Sequence, residues 1–158
     1  MNSIIEKYYP LFESYQALRG QLMLAISDEH LAFTPGGNSH TLGYLCREMG
    51  EVQYSYTQSF KTFQQVWTYK NDDPLLETSV DKLTGWYTDL DREMRATIEA
   101  LSEEDIRTRT IARDGFNASA KAQLDIYEEA LLIFYGKVSV YLKILGIPLP
   151  EQWENWIA

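Results

Sequence analysis

Apolar residues recur at alternating threes and fours in four separate stretches, the spacing of helices that bury one face. The first runs Ile4, Tyr8, Leu11, Tyr15, Leu18, Leu22 and Ala25. Ser3 followed by Glu6 has the form of a capping box, and Pro10 is expected to kink this helix or delay its regular start. The helix should fade near Ser27-Asp28, where "DEHLAFTPGGNSH" reads as a loop. A second seam, Leu42, Leu45, Met49, Val52, Tyr56, Phe60, Phe63 and Trp67, follows a cap at Ser39 and is ended by "KNDDP". Ser79 caps a third helix carrying Leu83, Trp86, Leu90, Met94, Thr97 and Leu101. Ser102 begins one short turn, and "RTRTIARDGFNAS", with β-branched residues and an Asp-Gly, reads as an extended crossover. The fourth helix starts near Ala118 and reaches Leu145, with Gly146 as the residue past its end and Pro148 blocking continuation. Trp153 and Trp156, three apart, suit one amphipathic turn over an open bundle end. The pattern predicts an all-α four-helix bundle with long crossover loops and a short C-terminal helical turn, one domain over residues 1–158.

Composition narrows the function more than the fold. A chain of 158 residues is long enough to bury a proper core. Its net charge of −9 and lack of a basic stripe argue against a nucleic-acid partner. Charge interrupts every helical pattern, so no membrane span is expected, and "MNSIIEKYYP" lacks the features of a signal peptide. Cys46 is alone, which excludes an internal disulfide. Together these point to the cytoplasm. The eleven tyrosines and four tryptophans suit either wet helix joints or a lined pocket.

Candidate chemistry is sparse. His30 and His40 flank the Gly/Pro loop, and neither has a second donor at helical spacing, so they read as solvated or capping residues. Glu48 and Glu51 lie one turn apart, on a face shared with Tyr44 and Ser55, while Glu128 and Glu129 open the apolar part of the fourth helix. Cys46 sits beside the seam and reads as a small buried hydrophobe. No nucleophile elbow, Walker loop or dinucleotide fingerprint is present.

Three segments carry a family resemblance. They are "ISDEHLAFTPGGNSHTLGYLCREMGEV", "LSEEDI" and "LLIFYGKVSVYLKILGIPLP". In this order they resemble the DinB/YfiT-like superfamily of four-helix bundles over nearly the whole chain. The resemblance implies a divalent metal held by three histidines, one from the second helix and two from the fourth. Some members resemble thiol-dependent transferases. Here the second-helix ligand falls on Glu48, the fourth-helix pair on Ala130 and Phe134, and the motif's glutamine on Lys137. Ala and Phe have no donor atoms, so the resemblance implies the fold and denies its usual metal.

Lys137, amid apolar neighbours, either pairs with Glu48 where the metal would have been, with Glu51 or Tyr44 completing the hydrogen bonds, or snorkels to water. The expected pocket comprises Tyr44, Glu48, Glu51, Trp86, Ala130, Phe134, Tyr135 and Lys137, with no metal and no cofactor. The favoured function is a binding or interaction module, a homodimer with a small-molecule pocket, and no nucleic-acid or membrane partner. The alternative is a thiol-dependent transferase or hydrolase with Glu48 as general base, or a divalent metal held by Glu48, Glu51 and Glu128 or Glu129. The sequence leaves catalysis itself undecided.

Overall fold

A computed structural model describes residues Met1–Ala158. Eight helices and one hairpin follow in chain order: α1 (Ser3–Lys7), α2 (Tyr9–Ala25), α3 (Asp28–Leu31), α4 (Leu42–Thr62), α5 (Val80–Glu99), α6 (Glu103–Thr108), β1 (Thr110–Arg113), β2 (Phe116–Ser119), α7 (Ala120–Leu145) and α8 (Glu151–Trp156). The bundle consists of α2, α5, α4 and α7, each packing on the next around the ring. No helix is long and apolar enough to cross a membrane.

The helix ends explain most departures from the expected boundaries. Asn2, not Ser3, caps the first helix: its side chain accepts from the Ile5 amide and donates to the carbonyls of Ile98 and Leu101, tying the N-terminus to the end of α5. The break at Tyr8 puts Pro10 at the start of α2, where its missing N–H is harmless. Thr41, not Ser39, caps α4. Ser79, Ser102 and Ser119 cap α5, α6 and α7 as their hydroxyls accept from amides three residues on. Gly146, at φ 71°, ends α7.

One boundary departs further. The seam of α4 was expected to run through Phe63 to Trp67, but the helix stops at Thr62 and Phe63 takes a left-handed φ of 58°. Tertiary pairing overrides periodicity here. The Phe63 carbonyl accepts from Ala112, and the Gln65 amide donates to Ala112, joining the chain after α4 to the hairpin. The Arg109 guanidinium stacks on the Phe63 ring at 3.4 Å. The hairpin itself is the segment expected as an extended crossover. It pairs antiparallel in the register Thr110↔Ser119 to Arg113↔Phe116, turning at Asp114-Gly115.

Inside the bundle lies a polar centre. Arg19, 1% exposed, donates from Nη1 to Gln53 Oε1 at 2.5 Å and from Nη2 to Asp91 Oδ1 at 2.6 Å. Gln53 and Gln16 also donate to Asp91 Oδ1, each at 2.8 Å. The guanidinium stacks 4.0 Å above the Tyr87 ring, whose hydroxyl donates to the Cys46 carbonyl. Burial alone would lower the Arg19 pKa, but the Asp91 carboxylate beside it outweighs that effect and the group stays charged. Burial likewise pushes the Cys46 thiol up to about 12, so it packs as an inert thiol.

The pair is asymmetric, because Arg19 is sealed in while the Asp91 side chain is 36% exposed. Asp91→Leu should therefore destabilise the fold by about 3–5 kcal/mol, leaving a buried guanidinium unpaired. Arg19→Met should cost clearly less, since water can reach the Asp91 carboxylate. Urea denaturation of both variants measures the difference, and equal losses would contradict it.

Candidate functional site

The cleft beside Glu48 is built from α4 and the chain that follows it. Glu48, Glu51, Val52 and Ser55 recur at helical spacing along one face of α4. Trp67, Tyr69 and Lys70 lie opposite, and the seven residues enclose a cavity of about 160 Å³. Aromatic stacking holds this covering segment down. Tyr69 lies on Tyr54 with ring centroids 3.8 Å apart, and Trp67 meets Tyr56 edge-on at 5.4 Å.

Glu51 supplies the polar clamp. It is 3% exposed, accepts from Lys70 Nζ at 2.8 Å and from the Asn71 amide at 2.9 Å, and approaches Arg47 Nε at 3.5 Å. A buried carboxylate needs such partners, and here a loop backbone and two cations provide them. The hydrogen bond to Glu51 holds the Lys70 pKa above its ordinary value. Glu48, half-buried one turn earlier, makes no hydrogen bond or ion pair and acts on Lys70 only from a distance, so its carboxylate faces the cavity without a direct partner.

The expected pair between Lys137 and Glu48 does not form. Lys137 is exposed, and its ammonium lies 5.4 Å from the Phe134 ring centroid with no acid partner. The side chain follows its apolar neighbours outward to water, which spares it desolvation. The buried acid is instead Glu51, and its lysine comes from the loop.

The other expected pocket residues are dispersed. Only Glu48 and Glu51 of the eight share the cavity. Tyr44 stacks on His40 at 3.8 Å, with Arg47 above its ring at 5.5 Å. Trp86 covers Gly50, where a Cβ would collide with its indole. Tyr135 is buried against Trp153, and its hydroxyl donates to the Tyr15 carbonyl at 2.8 Å, fastening α8 and α2 to α7. Phe134 is buried and Ala130 half-buried. His30 accepts from the Ser27 amide at the start of α3, a capping role.

These residues do not fit the metal that the resemblance implies. Ala130 and Phe134 offer no donor, and Glu51 is already paired. No three His, Cys, Asp or Glu side chains converge anywhere in the molecule, so the alternative set of Glu48, Glu51 and Glu128 or Glu129 is not assembled either.

Sequence reading missed Lys70, Trp67 and Tyr69 as parts of the site, because it placed Trp67 on a helical seam. It also missed Arg19, Gln53 and Gln16, although polar residues at seam spacing between Phe12 and Met23 were a visible signal. A larger groove of about 340 Å³ lies over that centre between α2 and α5, but its buried polar groups already bond one another.

No family model matches the sequence, and no curated protein does. Among solved structures, a DinB-like protein from Bacillus subtilis, YjoA, matches with a TM-score of 0.71 at 19% identity, over 94% of this chain and 96% of its own. Likeness at that identity is likeness of fold. The ring of four long helices, end to end, has the architecture of a DinB-like bundle.

Proposed function

We propose that this chain is a ligand-binding bundle and not a metal-dependent catalyst. The observation that carries the reading is the composition of the positions assigned to imidazoles. They hold Glu48, Ala130 and a buried Phe134. A lone carboxylate cannot replace three ligands. Grafting the donors back tests it. The triple variant Glu48→His, Ala130→His, Phe134→His should gain stoichiometric zinc and a chelator-reversible rise in Tm. The unaltered chain should show neither by metal analysis and thermal melting. Stoichiometric zinc on the unaltered chain would end the proposal.

The cavity beside Glu48 is the proposed binding place. A free carboxylate next to the Trp67 and Tyr69 rings suits a small molecule bearing an amine, because the ammonium meets both a charge and π faces. Methylammonium and larger primary amines should raise the Tm of the parent chain, and Glu48→Gln should remove the effect. A shift that survives Glu48→Gln would place amine binding elsewhere.

A surface on α7 favours assembly with a second copy. Ile133, Lys137, Val140 and Ile144 are exposed at intervals of four, three and four, a seam of coiled-coil period. Gly136, with open space at its Cβ position, lets a neighbouring helix come close beside it. Such a seam can pair with itself about a two-fold axis. Light scattering should give a dimer that Val140→Glu converts to monomer with its helical content unchanged. A parent chain that stays monomeric at high concentration would refute the dimer.

A further inference from the structure

Most arginines of this acidic chain are neutralised. Arg19, Arg47, Arg92, Arg95 and Arg109 each face a carboxylate. Arg107 is exposed. Arg113 is different, being partly buried and making no ion pair. Its Nη1 donates to Gln123 Oε1 at 2.8 Å, while Nε is buried and has no acceptor. The Tyr56 phenol is a polar neighbour of the guanidinium, while Glu129 acts on Tyr56 only from farther off and makes no ion pair with Arg113. A partly desolvated cation with no counter-charge is costly, and an arriving anion would relieve that cost.

The surroundings say what kind of acceptor fits. Arg113 and Phe116 face each other across the hairpin turn, and the Phe116 ring centroid lies 5.3 Å from the guanidinium carbon. The rings of Tyr56 and Trp67 stand at 5.6 and 5.9 Å. Tyr56 is buried and forms a floor, whereas Trp67 and Phe116 are each 52% exposed and form two open walls. A guanidinium holds a carboxylate by charge-assisted hydrogen bonds, and with Nε buried the outer Nη nitrogens are the ones left to offer them. Flat rings on either side favour a flat apolar group attached to that carboxylate. A net charge of −9 disfavours a dianion held by one arginine.

We propose that Arg113, set between Trp67 and Phe116, is a recognition site for a carboxylate carried on a flat apolar group. It adjoins the cavity beside Glu48, with which it shares Trp67, but does not depend on the amine reading of that cavity. No bond is made or broken there.

Benzoate is the probe, titrated into the full-length chain by calorimetry, with Trp fluorescence as a second readout. Saturable one-to-one binding is expected. Arg113→Lys, which keeps the charge but not the fork, should weaken it by about tenfold or more, the value of one charge-assisted hydrogen bond. Phe116→Ala removes an exposed wall without opening the core and should weaken benzoate more than acetate. Arg107→Gln should change nothing. The proposal is overturned if benzoate fails to saturate, if it binds Arg113→Lys and Phe116→Ala as well as the parent, or if inorganic phosphate binds more tightly than benzoate.

Discussion

A guanidinium sealed among four long helices sets the terms for the rest of this molecule. Arg19 comes from α2, its hydrogen-bonding partners Gln53 and Asp91 from α4 and α5, and the Tyr87 ring beneath it from α5. A charge at that depth is tolerated only if every helix presents its acceptor at the right height, which ties the three helices to one another. An all-apolar core would resist sliding by interlocked shape alone. In this one a slip would also strand the charge. The remaining features of the bundle, from the capped helix starts to the α8 tryptophan donating to the Leu18 carbonyl, sit on a frame already fixed in register.

The same logic operates at smaller scale in the cleft. Glu51 is buried, and the chain after α4 folds over it so that Lys70 and the Asn71 amide can meet it. The covering loop is therefore positioned by an acid of the helix it covers. Glu48, one turn earlier, receives no such attention. Two neighbouring glutamates thus divide into a structural carboxylate and a free one, and the division comes from where the loop's donors land.

Much of this was legible in the chain itself. Seam spacing and small capping residues located α5 and α7 closely, because there the local signals and the packing agree: Ser79 and Gly146 end their helices as expected. Phe63 was misread because its left-handed turn is imposed by Ala112, nearly a third of the chain away, and nothing in "SFKTFQQ" announces it. The hairpin was seen as extended chain but not as a pair, since short strands gain their identity from each other. Lys137 was the ambiguous case. A lysine in an apolar run has the same sequence whether it turns inward or outward, and only the placement of Phe134 and the helix face decided it. That Ala130 and Phe134 carry no donor atoms, by contrast, needed no structure to be read.

Two adjacent aromatics of α5 grip α4 at consecutive turns. Trp86 covers Gly50, where only hydrogen fits, and the Tyr87 hydroxyl holds the Cys46 carbonyl at 2.5 Å. A ratchet of one helix past the other would have to break both grips at once. Whatever gives first in this molecule should therefore be the short span between Phe63 and Asp73, held to α4 by ring stacking and by Glu51, and not the register of the helices.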